Sequence, residues 1–218
     1  MSNRRSISLR VDSDKNITIL CPNGLDLKYV SQFVRRKQAW IDKAMRKIEH
    51  KIVLISLDGP EKYFLLNGTT IKIAIEQSTG TSASKFEKNK LSIFPQNNKK
   101  HEYLSLICDF LAEQLTDIQE LFHVLATRIT PERPIDRVSW KFMKSRWGSY
   151  SSKHNISLNI ALVMLPNDIQ TLVIAHELCH IKEPNHSANF YEHLASYLPN
   201  HRELDKKLSR YNLMSVFQ

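Results

Sequence analysis

His176-Glu177-Leu178-Cys179-His180 sets two imidazoles four residues apart with a carboxylate beside the first, a combination suited to a divalent metal. Four residues make about one helical turn, so on a helix His176 and His180 project from one face and can grip one cation. Glu177 then stands about 100° round the helix, where it can reach a water on the cation without binding the cation. A catalytic zinc takes a third protein ligand and keeps one position open. His186 is the candidate for that ligand: Pro184 cannot continue a helix and turns Glu183 away from helical geometry. The chain is therefore expected to turn after Lys182 and bring His186 back toward the pair. Glu192 and Glu203 are the alternatives, because some zinc sites close with a downstream glutamate. The chemistry expected is hydrolysis at a zinc-bound water, with Glu177 taking its proton and passing it to the leaving amine.

The helix that must carry the motif starts near Asn167, which is expected to cap it with Gln170 completing a capping-box-like pair. Ile169, Leu172, Val173 and Cys179 give it a buried side, and Cys179 reads as a packing thiol facing away from the ligands. Arg137–Lys144 and Asn155–Leu165 read as strands flanking Lys144–Ser149, and an extended substrate is expected to pair along Asn155–Leu165. Arg146 is a candidate to stabilise an oxyanion or fix a substrate carboxylate or phosphate, with a structural ion pair as the alternative. Trp147 reads as core, and Asn159 as serving the hydrogen bonding of its strand. His193 and His201 read as facing solvent.

Further upstream, apolar runs around the turn Asp12–Asn16 predict a β-hairpin over residues 4–20, followed by an amphipathic helix from Asp26 to Ile48. Strands are expected at Lys51–Leu57, Tyr63–Leu66 and Thr70–Glu76, with Asp58-Gly59 and Asn67-Gly68 as turns. Ser78–Lys90 and Asn97–Lys100 read as mobile loops, and His101 to about Arg128 as one long helix stopped by Pro131 and Pro134. The fold class is α+β: a β-rich unit with one amphipathic helix over 1–95, and a catalytic domain over 101–218.

The run His176–His180, the Ile181–Pro184 and Asn185–Ser187 segments and Ala188–Tyr191, with Arg146–Ser149 and Ile156–Asn159 upstream, closely resemble the YgjP-like, SprT-related metallopeptidases. The resemblance spans most of the chain, though its specific motifs lie within about 146–191. It implies a small zincin-like core, zinc on His176, His180 and His186, Glu177 as base, and substrates that are mostly undefined in the family. Tyr150 departs from the family's usual cysteine there, which is not a ligand position; the change bears on packing beside the cleft. Metzincins share the histidine spacing but place glycine where Glu183 stands, so membership among them is not expected.

At 218 residues with 42% hydrophobic composition, the chain is long and apolar enough for a packed core. Its first residues lack a signal-like apolar stretch, no window approaches membrane-span length, and three widely spaced cysteines suit a reducing compartment, so a cytoplasmic protein is expected. Lys plus Arg number 31 against 22 Asp plus Glu, and this excess of +9 reads as distributed over a solvated surface. A peptide or protein is the expected substrate. The same ligands also permit a nucleotide or phosphoester hydrolase such as a pyrophosphatase, with Arg146 and the positive charge attracting phosphates. A third reading is a non-catalytic binding module with structural zinc, in which the basic first part recruits nucleic acid or another partner.

Overall fold

The computed structural model describes residues 6–11, 15–77, 80–132 and 135–217. Part of the Asp12–Asn16 turn, part of the Ser78–Lys90 segment and Pro134 lie outside them. The chain divides into two compact units, Met1–Ile52 and Val53–Gln218, so the division expected near 95–101 falls inside the second.

In the first unit, strands β1 (Ser8–Val11) and β2 (Ile17–Leu20) pair antiparallel as the alternation predicts. The single helix expected from Asp26 is two helices, α1 (Leu27–Arg36) and α2 (Gln38–Glu49), broken at Lys37 (φ −95°, ψ 4°). Asp26 caps α1 by accepting the Lys28 N–H at 2.8 Å. No proline or glycine marks the break, and the apolar spacing runs through it, which is why periodicity alone joins the two helices.

Strand β3 (Ile52–Val53) stands at the junction of the units. The second unit opens with a five-stranded sheet of β4 (Ile55–Ser56), β5 (Tyr63–Leu66), β6 (Thr69–Ile75), β7 (Ala83–Glu87) and β8 (Lys90–Phe94). Its order is β4-β5-β6-β8-β7, with β6 and β8 parallel and the other neighbours antiparallel. Strand β7 corrects the expected loop. It lies at a sheet edge with every residue exposed, so no alternation of polar and apolar residues announces it. Asn67 (φ 50°) and Gly68 (φ 77°) form the tight β5–β6 turn, as expected of an Asn-Gly pair.

The long helix expected from His101 is likewise two, α3 (Lys100–Glu113) and α4 (Leu115–Ile129), bent at Gln114. Phe110 on α3 meets Phe64 and Phe86 of the sheet with ring centroids 5.7 and 5.0 Å away, anchoring helix to sheet. A second sheet holds β9 (Arg137–Lys141), β10 (Gly148–Tyr150) and β11 (Asn155–Asn159) in the order β10-β11-β9. Strand β11 is therefore central, pairing antiparallel with β10 and parallel with β9, and Ile160–Met164 is a 3-10 turn. This corrects the expectation of substrate pairing along Asn155–Leu165: that segment has no free strand edge, whereas β10 has one. Helices α5 (Asn167–Cys179), α6 (Ala188–Tyr197) and α7 (His201–Leu208) follow, then β12 (Tyr211–Asn212).

Helix α5 is buried almost all round, with Ile174, Ala175, Leu178 and Cys179 fully enclosed. Each large apolar side chain so enclosed contributes about 1.5–3 kcal/mol, so α5 is the fixed axis of the unit. Its start is pinned from outside. The Asn67 and Gly68 N–H groups donate to the Val163 and Met164 carbonyls at 2.8 and 3.0 Å, and a Cβ on Gly68 would meet Pro166 Cγ at 2.7 Å. Asn167 is the first helical residue rather than the cap, and makes no capping bond. Gln170, instead of completing a capping box, is buried and donates to Asn67 Oδ1 and the Leu165 carbonyl at 2.9 and 2.8 Å. No helix among the described residues is long and apolar enough to cross a membrane.

Candidate metal centre

Three imidazoles converge at the end of α5. The Nε2 atoms of His176, His180 and His186 lie 3.2, 3.1 and 2.9 Å apart in pairs. Helix α5 ends at Cys179, three residues earlier than expected, and the turn through Glu183 and Pro184 folds His186 against the helical pair. Tetrahedral zinc with bonds of about 2.0–2.1 Å holds its nitrogens about 3.3 Å apart. The triangle is that size within a few tenths of an ångström, so the residues fit the ion. Among the described residues no other His, Cys, Asp or Glu joins the cluster, and Glu192 and Glu203 stand outside it.

Around the triad the imidazoles are fixed. His180 Nδ1–H donates to the Glu183 carbonyl at 3.1 Å, which leaves the lone pair of Nε2 turned toward the other two histidines. Phe190, fully buried on α6, lies with its ring 4.5–4.9 Å from all three imidazoles. Ser187 caps α6 by accepting the Phe190 N–H at 3.4 Å. Phe190 carries no ligand atom, so the spacing of metal ligands in the sequence does not point to it. Burial, with His180 and His186 alongside, holds His176 down at about 4, and burial also lowers His180. His176 is therefore neutral and able to bind metal well into the acid range, and the shift of His180 is in the same direction.

Glu177 is buried, and its surroundings come from the loop and edge strand ahead of it in sequence. A Cβ on Gly148 would stand 2.6 Å from both Cγ and Oε1 of Glu177, so only glycine allows β10 to lie this close. The Tyr150 N–H donates to the Glu177 carboxylate, and the Arg146 guanidinium acts on it electrostatically. Burial outweighs both and pushes the carboxyl up to about 7. Arg146 makes no ion pair within 4 Å among the described residues.

Asn159 does more than serve its strand. Fully buried, its Nδ2 donates to the Met143 and Arg146 carbonyls at 2.7 and 2.9 Å, while its Oδ1 accepts the Ala161 N–H at 3.1 Å. It thereby ties down the loop that delivers Arg146 and Gly148. Tyr150, at the family's cysteine position, stacks over His180 with centroids 6.5 Å apart, and its hydroxyl pairs with His154 Nδ1 at 2.8 Å. Cys179 is fully enclosed and burial raises its thiol to about 12, in keeping with a packing role.

His176 and Glu177 open onto a cavity of about 440 Å³ walled by Trp147, Leu172, Val173 and Tyr191. Trp147 is thus a cleft residue and not a core one. His201 also lines this cavity and is only 6% exposed, against the expectation that it faces solvent. Its Nδ1–H donates to the Leu198 carbonyl at 3.1 Å. His193 is half-buried, again not solvent-facing.

No curated protein sequence matches the chain. Among solved structures, the chain resembles the metallopeptidase zymogen of Pyrococcus abyssi abylysin at 21% identity and a TM-score of 0.38, over 42% of this chain and 90% of that one. It also resembles the metallopeptidase zymogen of Methanocaldococcus jannaschii jannalysin at 25% identity and a TM-score of 0.39, over 43% and 94% respectively. The model of one family, described as the YgjP-like metallopeptidase domain, matches residues 5–211, and the chain belongs to that family.

Proposed function

We propose that the protein is a zinc peptidase in which His176, His180 and His186 hold the ion and Glu177 is the general base. The observation that carries the reading is the trio of imidazole nitrogens 2.9–3.2 Å apart next to a buried carboxylate on a cavity wall. Bound zinc supplies Lewis acidity there, acidifying a water and polarising a substrate carbonyl. Glu177 accepts a proton from the attacking water and delivers it to the nitrogen of the leaving amine. Burial holds the carboxyl near 7 in the metal-free chain, and a dication beside it favours the ionised form that a general base needs. Arg146 and the Tyr150 N–H favour its ionised form and so act as positioning groups. A structural zinc closes with a fourth protein ligand, and the three-residue cluster supports an open, catalytic site instead.

An extended peptide would lie along β10. Asn159 N–H donates to the Trp147 carbonyl and Ser151 N–H to the Asn155 carbonyl, so by strand alternation Gly148 and Tyr150 turn their backbone groups to the open edge. The Gly148 groups are then free to pair with substrate. We assign the catalytic part to 101–218, where every residue named in the site falls, with the Asn67-Gly68 turn as its support. Free thiols at Cys21, Cys108 and Cys179 support a reducing, cytoplasmic setting.

Elemental analysis and a mixed peptide library test the reading. Wild type should carry about one zinc per chain, His186→Ala should lose most of it, and Glu177→Gln should keep it while peptide cleavage falls by at least about 100-fold. Phosphate or pyrophosphate release from nucleoside triphosphates, dependent on Glu177 and without peptide cleavage, would replace it with the phosphoester reading. Full zinc in His186→Ala would remove that residue from the ligand set.

A further inference from the structure

The boundary between the two units changes the meaning of the chain's charge. Residues Met1–Ile52 hold 12 Lys plus Arg against 5 Asp plus Glu, a net +7 of the chain's +9. The expectation of a charge distributed over the whole surface is thereby corrected. The second unit, about three times longer, is nearly balanced, so the positive field belongs to one small module.

Helices α1 and α2 and the break between them carry seven of these cations: Lys28, Arg35, Arg36, Lys37, Lys43, Arg46 and Lys47. All seven are exposed, and none has an ion-pair partner among the described residues. Asp26 and Asp42 keep their charge but pair with none of these cations. Asp26 caps α1, and Asp42 accepts from Gln38 Nε2 at 2.9 Å.

The apolar stripe of this helix pair is partly covered, with α1 packed on α2 and α2 on β1. Val30, Phe33, Val34, Ala44, Met45 and Ile48 are half-buried and Ile41 is 3% exposed. What remains outside includes two large aromatics, Tyr29 at 62% and Trp40 at 48% exposure. Helical spacing sets each among cations: Arg36 lies two turns beyond Tyr29, while Lys43 and Lys47 lie about one and two turns beyond Trp40. Amphipathic helices that bind membrane surfaces direct a continuous apolar stripe outward. Here that stripe points inward, and single aromatic rings alternate with cations on the outer face.

We propose that the face formed by α1 and α2 binds single-stranded nucleic acid, with the Arg and Lys side chains on the phosphates and Tyr29 and Trp40 stacked on bases. Aromatic platforms within a basic surface are the arrangement that suits an unpaired strand, whose bases are free to stack. A duplex backbone satisfies the cations, but the bases inside the duplex are already stacked on one another and closed to the rings. These residues belong to the first unit and the histidine cluster to the second, and occupation of the helical face does not depend on the peptidase reading.

Fluorescence anisotropy of the full chain with labelled 20-nucleotide oligothymidylate and oligouridylate, from 50 to 200 mM salt, is the test. Binding should weaken steeply with salt, as expected when several cations meet phosphates. Trp40→Ala and Tyr29→Ala should each weaken it by about 5- to 100-fold at constant salt. Arg35→Gln combined with Arg36→Gln and Lys43→Gln should lower the salt slope, and Trp40→Phe should retain most of the affinity. Zinc content and circular dichroism unchanged from wild type confirm that each variant is folded. No binding at 50 mM salt would overturn the proposal. So would equal affinity for a 20-base-pair duplex, indifference to both aromatic substitutions, or preferential binding to vesicles containing phosphatidylserine.

Discussion

The cluster of three histidines and the surroundings of Glu177 are built in opposite ways. His176, His180 and His186 come from one short stretch, a helix end and the turn after it, so local geometry alone brings them together. Glu177 lies in the same stretch, yet its environment is assembled from elsewhere: Gly148 and Tyr150 on β10, Arg146 before it, and Asn159 holding that loop. Metal binding should therefore survive changes to β10 that destroy the chemistry. The proposed ligand set and the proposed base sit side by side with separable supports.

The sharpest way to break that separation is Gly148→Ala. The added methyl would stand 2.6 Å from the Glu177 side chain, so either the carboxylate or the strand must shift. A displacement of about 1 Å at a catalytic group costs on the order of 100-fold in rate, and that loss is expected in kcat/KM. Zinc content should stay at the wild-type level. Loss of zinc along with activity would show that β10 supports the ligands too.

The same contrast explains what was readable beforehand. The histidine spacing, the Pro184 turn and the Asn67-Gly68 hairpin are local signals, and each meets its counterpart in the structure. Gly148 carries no such signal on its own, because its need for a bare Cα arises from a helix residue far along the chain. The bends at Lys37 and Gln114 were hidden for another reason: apolar faces continue through both, so periodicity reads each helix pair as one. Strand β7 was hidden because both of its faces are exposed.

Metal-free protein exposes the cost of burying Glu177. Its carboxyl moves from an ordinary 4.5 to about 7 on folding. Below pH 4.5 folded and unfolded chains both hold this proton, and nothing is lost. Between 4.5 and about 7 only the folded chain holds it, so stability falls as pH rises, by about 3 kcal/mol once pH exceeds 7. Metal-free Glu177→Gln lacks the term, and denaturant titrations should find it more stable than wild type above pH 7 by that order and nearly equal at pH 4. A constant difference across the range would mean that Glu177 is solvated in the folded chain.

Asn159→Ala tests the loop. It removes the two donors that hold the Met143 and Arg146 carbonyls and the acceptor of the Ala161 N–H, in a fully buried place. Such losses cost about 1–3 kcal/mol, and activity should fall with zinc retained, because the loop and not the triad is released. An unchanged kcat/KM in a folded variant would show that Arg146 and Gly148 keep their places without it.

The smallest effect should come from Tyr150→Phe. Two contacts meet at this side chain, the ring over His180 on the ligand side and the hydroxyl on His154 at an exposed site. Phenylalanine keeps the first and deletes the second. A neutral hydrogen bond in contact with water is worth about 1 kcal/mol or less, and its partner can turn to solvent. Stability should therefore drop by less than about 1 kcal/mol, and zinc affinity should change by less than the roughly tenfold that marks loss of a supporting contact. Tyr150→Ala removes the ring as well, and a clear fall in zinc affinity there but not in Tyr150→Phe would locate the residue's contribution in the stacking on His180. Equal affinities in both variants would leave Phe190 and the Glu183 carbonyl as the supports of that imidazole, and the separation between ligand set and edge strand would then be complete.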